Sequence, residues 1–380
     1  MDTNSMWEWK GSNIKLMARS IPYYILGAAG HAPAPKIAKF DITYRCNLRC
    51  QMCFYWNQRT CAKTENIIKA SGQELSFADI EQCLIPQLNN VGLEYFSISG
   101  GEPLIRSDIY DILSLCGKQE FRTSLNSNLY NVGEDEARQL VDSGISSIQL
   151  SLHGPSEIHD FIVRKKGAFE SVINAVRNIQ DYKCKTGTEH PKLTICCVVS
   201  KHNQYNLVQT LNVVKELEVD TLFFHFIEWQ DELLLKECDR KSRAEMTERE
   251  ILQIDTENLM SQIEEIVSIA KSLKTKIFFH PIDYPLTKEQ LERWHYDPEF
   301  TQVKNCFYLW MEMRIDPYGW VLPCYYIDQP MGNIKMQALK DIWNCGGYRD
   351  LRKQISDGLL PMCYKCCKLS RQWQNFLFHI

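Results

Sequence analysis

Short apolar stretches alternate with amphipathic helical stretches over the first two thirds of the chain. Runs of apolar residues are each followed by a segment in which apolar side chains recur every three or four positions, as they do behind the cap residue Ser76. The pattern predicts strands over residues 38–44, 95–99, 121–126, 148–152, 193–199 and 221–227. It predicts intervening helices over residues 76–91, 107–116, 134–143, 169–183 and 206–217.

This alternation determines the predicted fold class. Consecutive βα units predict a parallel sheet with right-handed crossovers. Six such units suit a partial (β/α)6 barrel of the TIM type better than a closed barrel of eight strands. We therefore predict an α/β protein whose chemistry lies at the carboxyl ends of the strands, where the βα loops gather.

Composition divides the chain into four predicted regions. Residues 1–36 are predicted to form an N-terminal helical extension, and residues 37–230 the barrel. Residues 231–300 are predicted to be a charged helical connector that completes the core. A solvated surface helix is the simpler interpretation of its charged part, and a moving lid is the alternative. Residues 301–380 are predicted to be a small, cysteine-rich α+β domain.

Overall composition and charge exclude several classes of partner. Hydrophobic residues make up 44% of the chain and charged residues 24%, which is typical of a globular protein. The net charge of −4 offers no basic surface for nucleic acid or for an acidic membrane. There is no apolar run of the ~18 residues that span a bilayer, and the N-terminus lacks the order of a signal peptide. The sequence predicts a cytoplasmic protein without nucleic-acid or membrane partners.

The sixteen cysteines require a separate explanation. In a long chain without an export signal, closely spaced cysteines are more often metal ligands than disulfide partners. Cys46, Cys50 and Cys53 form a CxxxCxxC triplet directly after the first predicted strand. Three thiolates would leave one iron of a 4Fe-4S cluster open to an external ligand. A structural zinc site that lacks its fourth ligand is the alternative.

The triplet and the motifs that follow it resemble the radical S-adenosylmethionine (SAM) superfamily over roughly residues 38–230. Ser99-Gly-Gly-Glu-Pro103, after the second predicted strand, looks like the GGEP motif of that family. The resemblance implies that SAM binds the open iron and is cleaved to methionine and a 5′-deoxyadenosyl radical. The SAM contacts that it implies are Gly100, Gly101, Glu102, Ser127, Ser151, Arg164 and Val199.

Each implied contact has a chemical reason. Glycines let backbone groups approach the SAM amino group, and Glu102 can accept a hydrogen bond from it. The guanidinium of Arg164 matches the SAM carboxylate, and Val199 matches the adenine. Two positions depart from the family pattern: Leu129 stands where the family often has glycine, and His153 where it often has aspartate.

A second group of cysteines resembles the ligands of the SPASM/twitch extension of radical SAM enzymes: Cys306, Cys324, Cys363 and Cys366. A strand–turn–strand hairpin with Pro-Tyr-Gly at its bend is predicted between the first two. Few cysteines follow, which favours the twitch variant with one auxiliary 4Fe-4S cluster closed by four thiolates. Cys345 and Cys367 are spare, and one of them could replace an assigned ligand. A zinc ribbon is the alternative.

The resemblance implies hydrogen abstraction from a substrate in the barrel mouth, with a flavodoxin or ferredoxin as reductant. The main interpretation is oxidation or epimerisation of a small molecule, carbohydrate or aminocyclitol-like, because no N-terminal peptide-recognition domain is evident. A peptide-modifying maturase is the alternative within the family. A non-catalytic iron–sulfur or zinc-binding protein and a SAM-dependent methyltransferase are alternatives from other classes.

Three residues are candidates for the reaction itself. An epimerase needs a thiol that returns hydrogen to the opposite face of the substrate. If Val199 faces the adenine, strand alternation places Cys197 on the same side and Cys196 on the other. His225 and Glu228, on opposite faces of the sixth strand by the same count, are alternative proton acceptors for a dehydrogenase. A buried structural thiol and satisfied polar residues are the simpler interpretations.

Overall fold

The computed structural model describes residues 30–53, 72–229, 253–282, 284–327 and 329–369. Most of the predicted N-terminal extension and the charged part of the connector lie outside these ranges. No helix in the described part of the chain is long and apolar enough to cross a bilayer.

One sheet of ten strands forms the framework of the described structure, in the order β10-β9-β8-β1-β2-β3-β4-β5-β6-β7. The strands from β8 through β1 to β7 run parallel to their neighbours, and β9 and β10 are antiparallel. β7 and β10 form the two edges, so the described sheet is open. The bounds are β1 Ile37–Thr43, β2 Tyr95–Gly100, β3 Arg122–Ser127, β4 Ser147–Ser151, β5 Lys192–Val199, β6 Thr221–Phe226, β7 Lys276–His280, β8 Glu312–Ile315, β9 Trp320–Leu322 and β10 Gly332–Asn333.

Helices follow most of the strands. The first begins at the predicted cap, where Ser76 Oγ accepts a hydrogen bond from Asp79 N at 3.1 Å and the Asp79 carboxylate accepts one from Ser76 N. A π-helical turn, Ile80–Leu84, joins α1 to α2. The helices are α1 Phe77–Asp79, α2 Ile85–Asn90, α3 Ile109–Gly117, α4 Glu134–Asp142, α5 Ser156–Val163, α6 Ala168–Thr186, α7 Leu207–Glu216, α8 Thr256–Ala270, α9 Lys288–Tyr296, α10 Leu339–Trp343 and α11 Gly346–Asp357.

The predicted α/β class is confirmed, but the sheet contains more parallel strands than the six predicted. β7 lies inside the region predicted as a helical connector and pairs with β6. Its Ile277 and Phe279 are buried in the core, while exposed Lys276 continues the charged character of the preceding segment. The strand is short and begins with a charge, so its apolar pattern is too brief to predict a strand.

The predicted hairpin is also present, and it joins the barrel sheet. β8 and β9 flank the Pro-Tyr-Gly bend, where Gly319 has a φ of +85°. The Asp316 carboxylate accepts hydrogen bonds from Tyr318 N at 2.9 Å and Trp320 N at 2.8 Å, which stabilise the turn. β8 pairs in parallel with β1. The cysteine-rich region therefore extends the sheet rather than forming a separate layer.

A buried ion pair joins β1 to β8 on the face opposite the helices. Arg314 donates to both carboxylate oxygens of Asp41, at 2.6 and 2.7 Å. Its guanidinium also lies 4.1 Å from the centre of the Tyr325 ring. Alternate residues of β1, such as Phe40, pack against the helical layer with Phe96. The polar side chains between them line the barrel interior.

Candidate active site

The loop that carries Cys46, Cys50 and Cys53 is held against the end of α5. Gln51 N donates to Ile162 O at 2.9 Å, and Arg49 N donates to Val163 O at 3.4 Å. Leu48 packs in a small apolar cluster beside these contacts. All three cysteines remain half-buried and without disulfides. The three predicted ligands thus lie on one anchored loop at the carboxyl end of β1.

The electrostatics of these thiols fit a metal cluster. Burial raises the pKa of Cys50 above its ordinary value, and the neighbouring Cys53 and Cys46 raise it further. Burial also raises the pKa of Cys46. Three thiols that oppose one another's ionisation need a positively charged partner to be held as thiolates. Cys46, Cys50 and Cys53 would hold a 4Fe-4S cluster here, and that cluster would supply the electron for cleavage of SAM.

The glycines after β2 make room for the chain that leads to the cysteines. A Cβ at Gly100 would lie 2.3 Å from Thr43 O, and one at Gly101 would lie 2.1 Å from Arg45 O. Gly101 N donates to Thr43 O at 2.7 Å, and Glu102 N donates to Arg45 O at 2.8 Å. The space that a Cβ would fill at these two glycines is therefore occupied by the backbone that leads to the cysteines. Direct SAM contacts by Gly100 and Gly101 stay predictions.

We expect Gly101→Ala to displace the cysteine loop, because the added methyl group meets backbone that cannot rotate away. The cost should be about 1–3 kcal/mol, the usual range for overpacking. Iron content after anaerobic reconstitution and the melting temperature measure it. Gly346→Ala is the matched control, since a Cβ at Gly346 meets nothing within 4 Å. Equal iron content in the two variants would contradict the expected displacement.

Glu102 ties the end of β2 to the end of β3. Its carboxylate is buried and accepts hydrogen bonds from Ser127 Oγ at 2.7 Å, Asn128 N at 2.7 Å and Leu104 N at 3.0 Å. Burial raises the pKa of Glu102, and these donors oppose the rise. Ser127 Oγ also accepts a hydrogen bond from Leu129 N. Glu102 and Ser127 therefore contact each other, and their SAM contacts stay predictions.

Asn128 is a neighbour of the cysteine loop that the sequence did not single out. Its Nδ2 donates to Asn47 Oδ1 at 2.8 Å and lies 4.0 Å from Cys46 Sγ. Its Oδ1 accepts a hydrogen bond from Tyr130 N, which shapes the turn. Leu129 there has a φ of +51°, the conformation that the glycine of the family pattern would provide. The feature of the sequence that points to Asn128 is its position directly after β3, at the carboxyl end of the sheet.

The ends of β4 and α5 contain two further predicted SAM contacts. Ser151 closes β4 and is half-buried opposite Cys196. Arg164 is exposed at the end of α5, with a φ of +56°, next to the residues that hold the cysteine loop. His153 Nδ1 accepts a hydrogen bond from Val198 N at 3.2 Å, and burial lowers its pKa to about 3. His153 is therefore neutral and is joined to β5 by this hydrogen bond. The SAM contacts of Ser151 and Arg164 stay predictions.

The structure reverses the predicted facing of Cys196 and Cys197. Along β5 the residues alternate between fully buried and half-buried, and Cys197 and Val199 belong to the buried core that packs on the helices. Cys196 lies on the other face, which is half-buried, and Cys367 and Glu228 are near enough to raise its pKa in addition to burial. Cys197 and Val199 share one face of β5, as alternation predicts, but this face is the one that packs on the helices. The positions of Val199 and Cys197 do not support the predicted adenine contact and hydrogen donor.

His225 and Glu228 lie together, although strand alternation predicted opposite faces. β6 ends at Phe226, so the alternation no longer applies at Glu228. His225 Nε2 lies 3.2 Å from Glu228 Oε1, and Glu228 Oε2 accepts hydrogen bonds from Cys367 N at 3.1 Å and from the hydroxyl of Tyr326. Burial opposes ionisation, yet the hydrogen bonds from these three partners hold the pKa of Glu228 at about 2.

The predicted auxiliary ligands converge beside this group. Burial raises the pKa of Cys306 to about 12, with a contribution from the neighbouring Cys324. The Cys367 thiol and burial hold the pKa of Cys366 well above its usual value, and Cys306 contributes. Cys366 N donates to Cys363 O at 3.0 Å, so Cys363 shares the same turn. This set of half-buried thiols fits an iron–sulfur cluster.

The two spare cysteines differ in their surroundings. Cys345 precedes α11, and its Sγ lies 3.7 Å from Met331 O. Cys367 faces the barrel interior, where one ligand atom each from Cys367, His225 and Glu228 lies within 4.8 Å of the others. Of the two, Cys367 is the one placed to exchange with Cys366.

Comparisons with known proteins agree with this geometry. The model of the radical SAM superfamily matches residues 40–214, and the model of the SPASM iron–sulfur cluster-binding domain matches residues 306–367. The fold and the two cysteine sites therefore define a radical SAM enzyme. More particularly, the chain belongs to the radical SAM enzymes with a C-terminal SPASM domain, and its cofactors are SAM, a 4Fe-4S cluster and an auxiliary iron–sulfur cluster. The non-catalytic alternative is wrong.

Individual relatives are distant. PqqA peptide cyclase of Xanthomonas oryzae is 23% identical over 348 residues, which are 90% of this chain and 82% of that protein. Fe-coproporphyrin III synthase of Methanosarcina barkeri is 25% identical over 192 residues, 50% of this chain, and the match spans only 44% of that relative. Streptococcus suis SuiB bound to the precursor peptide SuiA superposes with a TM-score of 0.62 at 16% identity, over 97% of this chain and 79% of SuiB. At that identity the superposition establishes the fold.

Proposed function

We propose that this radical SAM enzyme modifies a peptide. The observation that carries the proposal is the similarity to a peptide cyclase over 90% of this chain and 82% of that protein. A fold shared with an enzyme captured on its precursor peptide supports it. The comparisons thus favour the peptide alternative over the carbohydrate or aminocyclitol substrate that was the main interpretation of the sequence.

Exposed aromatic side chains lie on α5, after β5 and at the end of α9. Phe161, Tyr205 and Tyr296 are among the exposed large apolar side chains, each with more than half of its surface accessible (56%, 57% and 56%). The Phe161 ring lies 5.2 Å from that of His202. Aromatic side chains with polar edges can pack on peptide side chains while they bond to its backbone. Exposed aromatic side chains of this kind are suited to contacts with the side chains of a peptide.

Within the barrel, the chain's own residues can handle protons. Glu228 is held ionised by its three donors, so it orients His225 rather than taking up a proton itself. An imidazole held by a carboxylate in this way is a suitable proton acceptor. We assign His225 as the acceptor and Glu228 as its positioning residue. The Asp41–Arg314 pair joins β1 to β8.

The test compares substrate classes directly. Anaerobically reconstituted enzyme receives SAM and a low-potential reductant, together with random-sequence synthetic peptides, a pool of monosaccharides and aminocyclitols, or iron coproporphyrin III. We expect only the peptides to raise 5′-deoxyadenosine formation, with a changed peptide mass. The enzyme without the Cys46, Cys50 and Cys53 thiols is the control for background. The proposal is contradicted if only one of the other two substrate classes raises 5′-deoxyadenosine formation. It is also contradicted if none of the three classes raises it.

A further inference from the structure

A group of exposed cations lies against the cysteine loop. Arg164, Lys165 and Lys166 occupy the turn between α5 and α6, and all three residues are exposed. Arg49, on the cysteine loop itself, is also exposed. We call these four residues the basic patch. Residues 161–169 contain three cations and no acidic residue, although the whole chain has a net charge of −4.

The basic patch is joined to the predicted cluster ligands through the hydrogen bonds that anchor the cysteine loop to α5. Gln51 adds a third such bond, from its Nε2 to Phe161 O at 2.9 Å. Under the patch, a small apolar cluster contains Val163 of α5 and packs against Cys46 and Cys50. A protein bound on the patch would therefore lie close to two of the three thiols that are predicted to hold the 4Fe-4S cluster.

Hydrogen bonds within the turn fix the positions of its cations. The Asp160 carboxylate accepts hydrogen bonds from Gly167 N at 2.5 Å and Phe169 N at 2.8 Å. Asp160 O accepts one from Lys165 N at 3.0 Å. The Lys165 ammonium lies 5.5 Å from the centre of the Tyr130 ring, which holds it by a cation–π contact. A surface held in one shape loses little conformational entropy when a partner binds.

We propose that the basic patch is the docking site of the protein that reduces the 4Fe-4S cluster of the cysteine loop, an acidic one-electron carrier. Electron transfer slows steeply with distance, so a donor has to dock close to the ligands of the cluster that it reduces. Four cations complement a surface rich in Asp and Glu, which speeds the encounter and orients the partner. The inference goes beyond the proposed peptide function and does not depend on it.

The redox step needs only the carrier named here. The reduced carrier loses one electron, that electron passes to the 4Fe-4S cluster, and no bond forms or breaks. The residues of the basic patch bind and orient the carrier, so they are positioning residues. Arg164 is also a predicted SAM contact, and Arg49 donates to Cys46 O within the cysteine loop. Lys165 and Lys166 are therefore the residues to change.

The first arm of the test measures docking without turnover. Reconstituted holoenzyme is mixed anaerobically with an acidic flavodoxin or an acidic ferredoxin, and a carbodiimide joins lysine amines to the carboxylates that touch them. We expect mass spectrometry to find Lys165 or Lys166 in the joined peptides. The yield should fall about tenfold as ionic strength rises from about 0.05 M to about 0.5 M, because salt screens exposed charges. Cross-links confined to other lysines, or none with either carrier, overturn the proposal.

The second arm compares a protein reductant with a small one. In Lys165→Glu with Lys166→Glu, SAM cleavage driven by the reduced carrier should fall about tenfold or more. Cleavage driven by saturating dithionite should stay unchanged, because dithionite needs no docking site. Lys118→Glu with Lys185→Glu is the control of equal charge, since Lys118 caps α3 and Lys185 lies in the last turn of α6, ~25 Å from the patch. It should change neither rate.

The remaining outcomes distinguish other roles of the basic patch. Equal losses with both reductants, at wild-type iron content, would mean that the patch serves SAM binding, and they overturn the proposal. Loss of the peptide-stimulated rate alone would make the patch a peptide site and overturns it as well. Lys165→Gln with Lys166→Gln, which removes the charges without reversing them, should lose a smaller part of the carrier-driven rate and guards against misfolding. If no peptide stimulates SAM cleavage, the peptide function fails and the docking result still stands.

Discussion

Replacement of Cys46, Cys50 and Cys53 by alanine is expected to abolish 5′-deoxyadenosine formation and to remove about four of about eight irons per chain, if each site holds one cubane. The loss should be complete because the three thiols lie on one loop that Gln51 and Arg49 anchor to α5. No other described cysteine is on that loop. Iron and sulfide analysis after anaerobic reconstitution, with 5′-deoxyadenosine assayed alongside, measures both effects.

The matched control removes thiols from the other site. Cys306→Ala with Cys324→Ala should also remove about four irons, yet leave slow substrate-free cleavage of SAM, because the first loop keeps its ligands. Cleavage that persists in the triple variant would exclude the first loop as the place where SAM reacts. A triple variant that loses all its iron would show that the two sites cannot be assembled independently.

Removal of Arg314 is expected to cost about 3–5 kcal/mol of unfolding free energy, the usual cost of leaving a buried charge without its partner. Arg314 donates two hydrogen bonds to Asp41, and the two side chains are 8% and 1% exposed. Arg314→Met leaves the Asp41 carboxylate buried without the guanidinium that pairs with it, and it removes the stack on Tyr325. The denaturation midpoint in urea, at constant cluster loading, measures the loss.

A double-mutant cycle separates the charge from the packing. Asp41→Leu combined with Arg314→Met should recover most of the loss, since an apolar pair of similar volume has no charge to desolvate. Lys192→Met is the exposed control, because its partners Glu189 and Asp220 have 82% and 34% of their side chains accessible, and it should cost about 0–1 kcal/mol. If the double variant is as unstable as Arg314→Met, lost packing explains the effect and the unpaired charge does not.

The sequence predicts those parts of the fold that depend on local patterns of residues. The first six strands and the cap at Ser76 follow from alternation and from capping chemistry, which involve neighbours in the chain. β7 was missed because five residues with a charged start carry too little pattern. The parallel pairing of β8 with β1 was missed because it joins residues almost three hundred positions apart, such as Ile37 and Glu312. No local signal encodes that partner.

The candidate active site likewise has features that local sequence predicts and features that depend on the tertiary structure. Cysteine spacing predicts both groups of candidate ligands, since each group is compact in the chain or shares a hairpin. The facing of Cys196 and Cys197 needed the tertiary structure, because alternation gives two faces and does not say which one packs on helices. The contacts of Glu102 with Ser127 and of Asn128 with Asn47 join ends of different strands. Their partners depend on sheet register, which the sequence alone does not reveal.

The pairing of β8 with β1 has a consequence for how such enzymes are inherited and engineered. If residues from 306 onward were deleted, the backbone of β1 would become an open edge, and Asp41 would lose Arg314. Open strand edges recruit other chains, so the shortened protein should aggregate rather than persist as a minimal enzyme. Recombination between relatives would therefore have to exchange the two cysteine-bearing regions together. Otherwise it would have to keep the residues through which β1 and β8 contact each other.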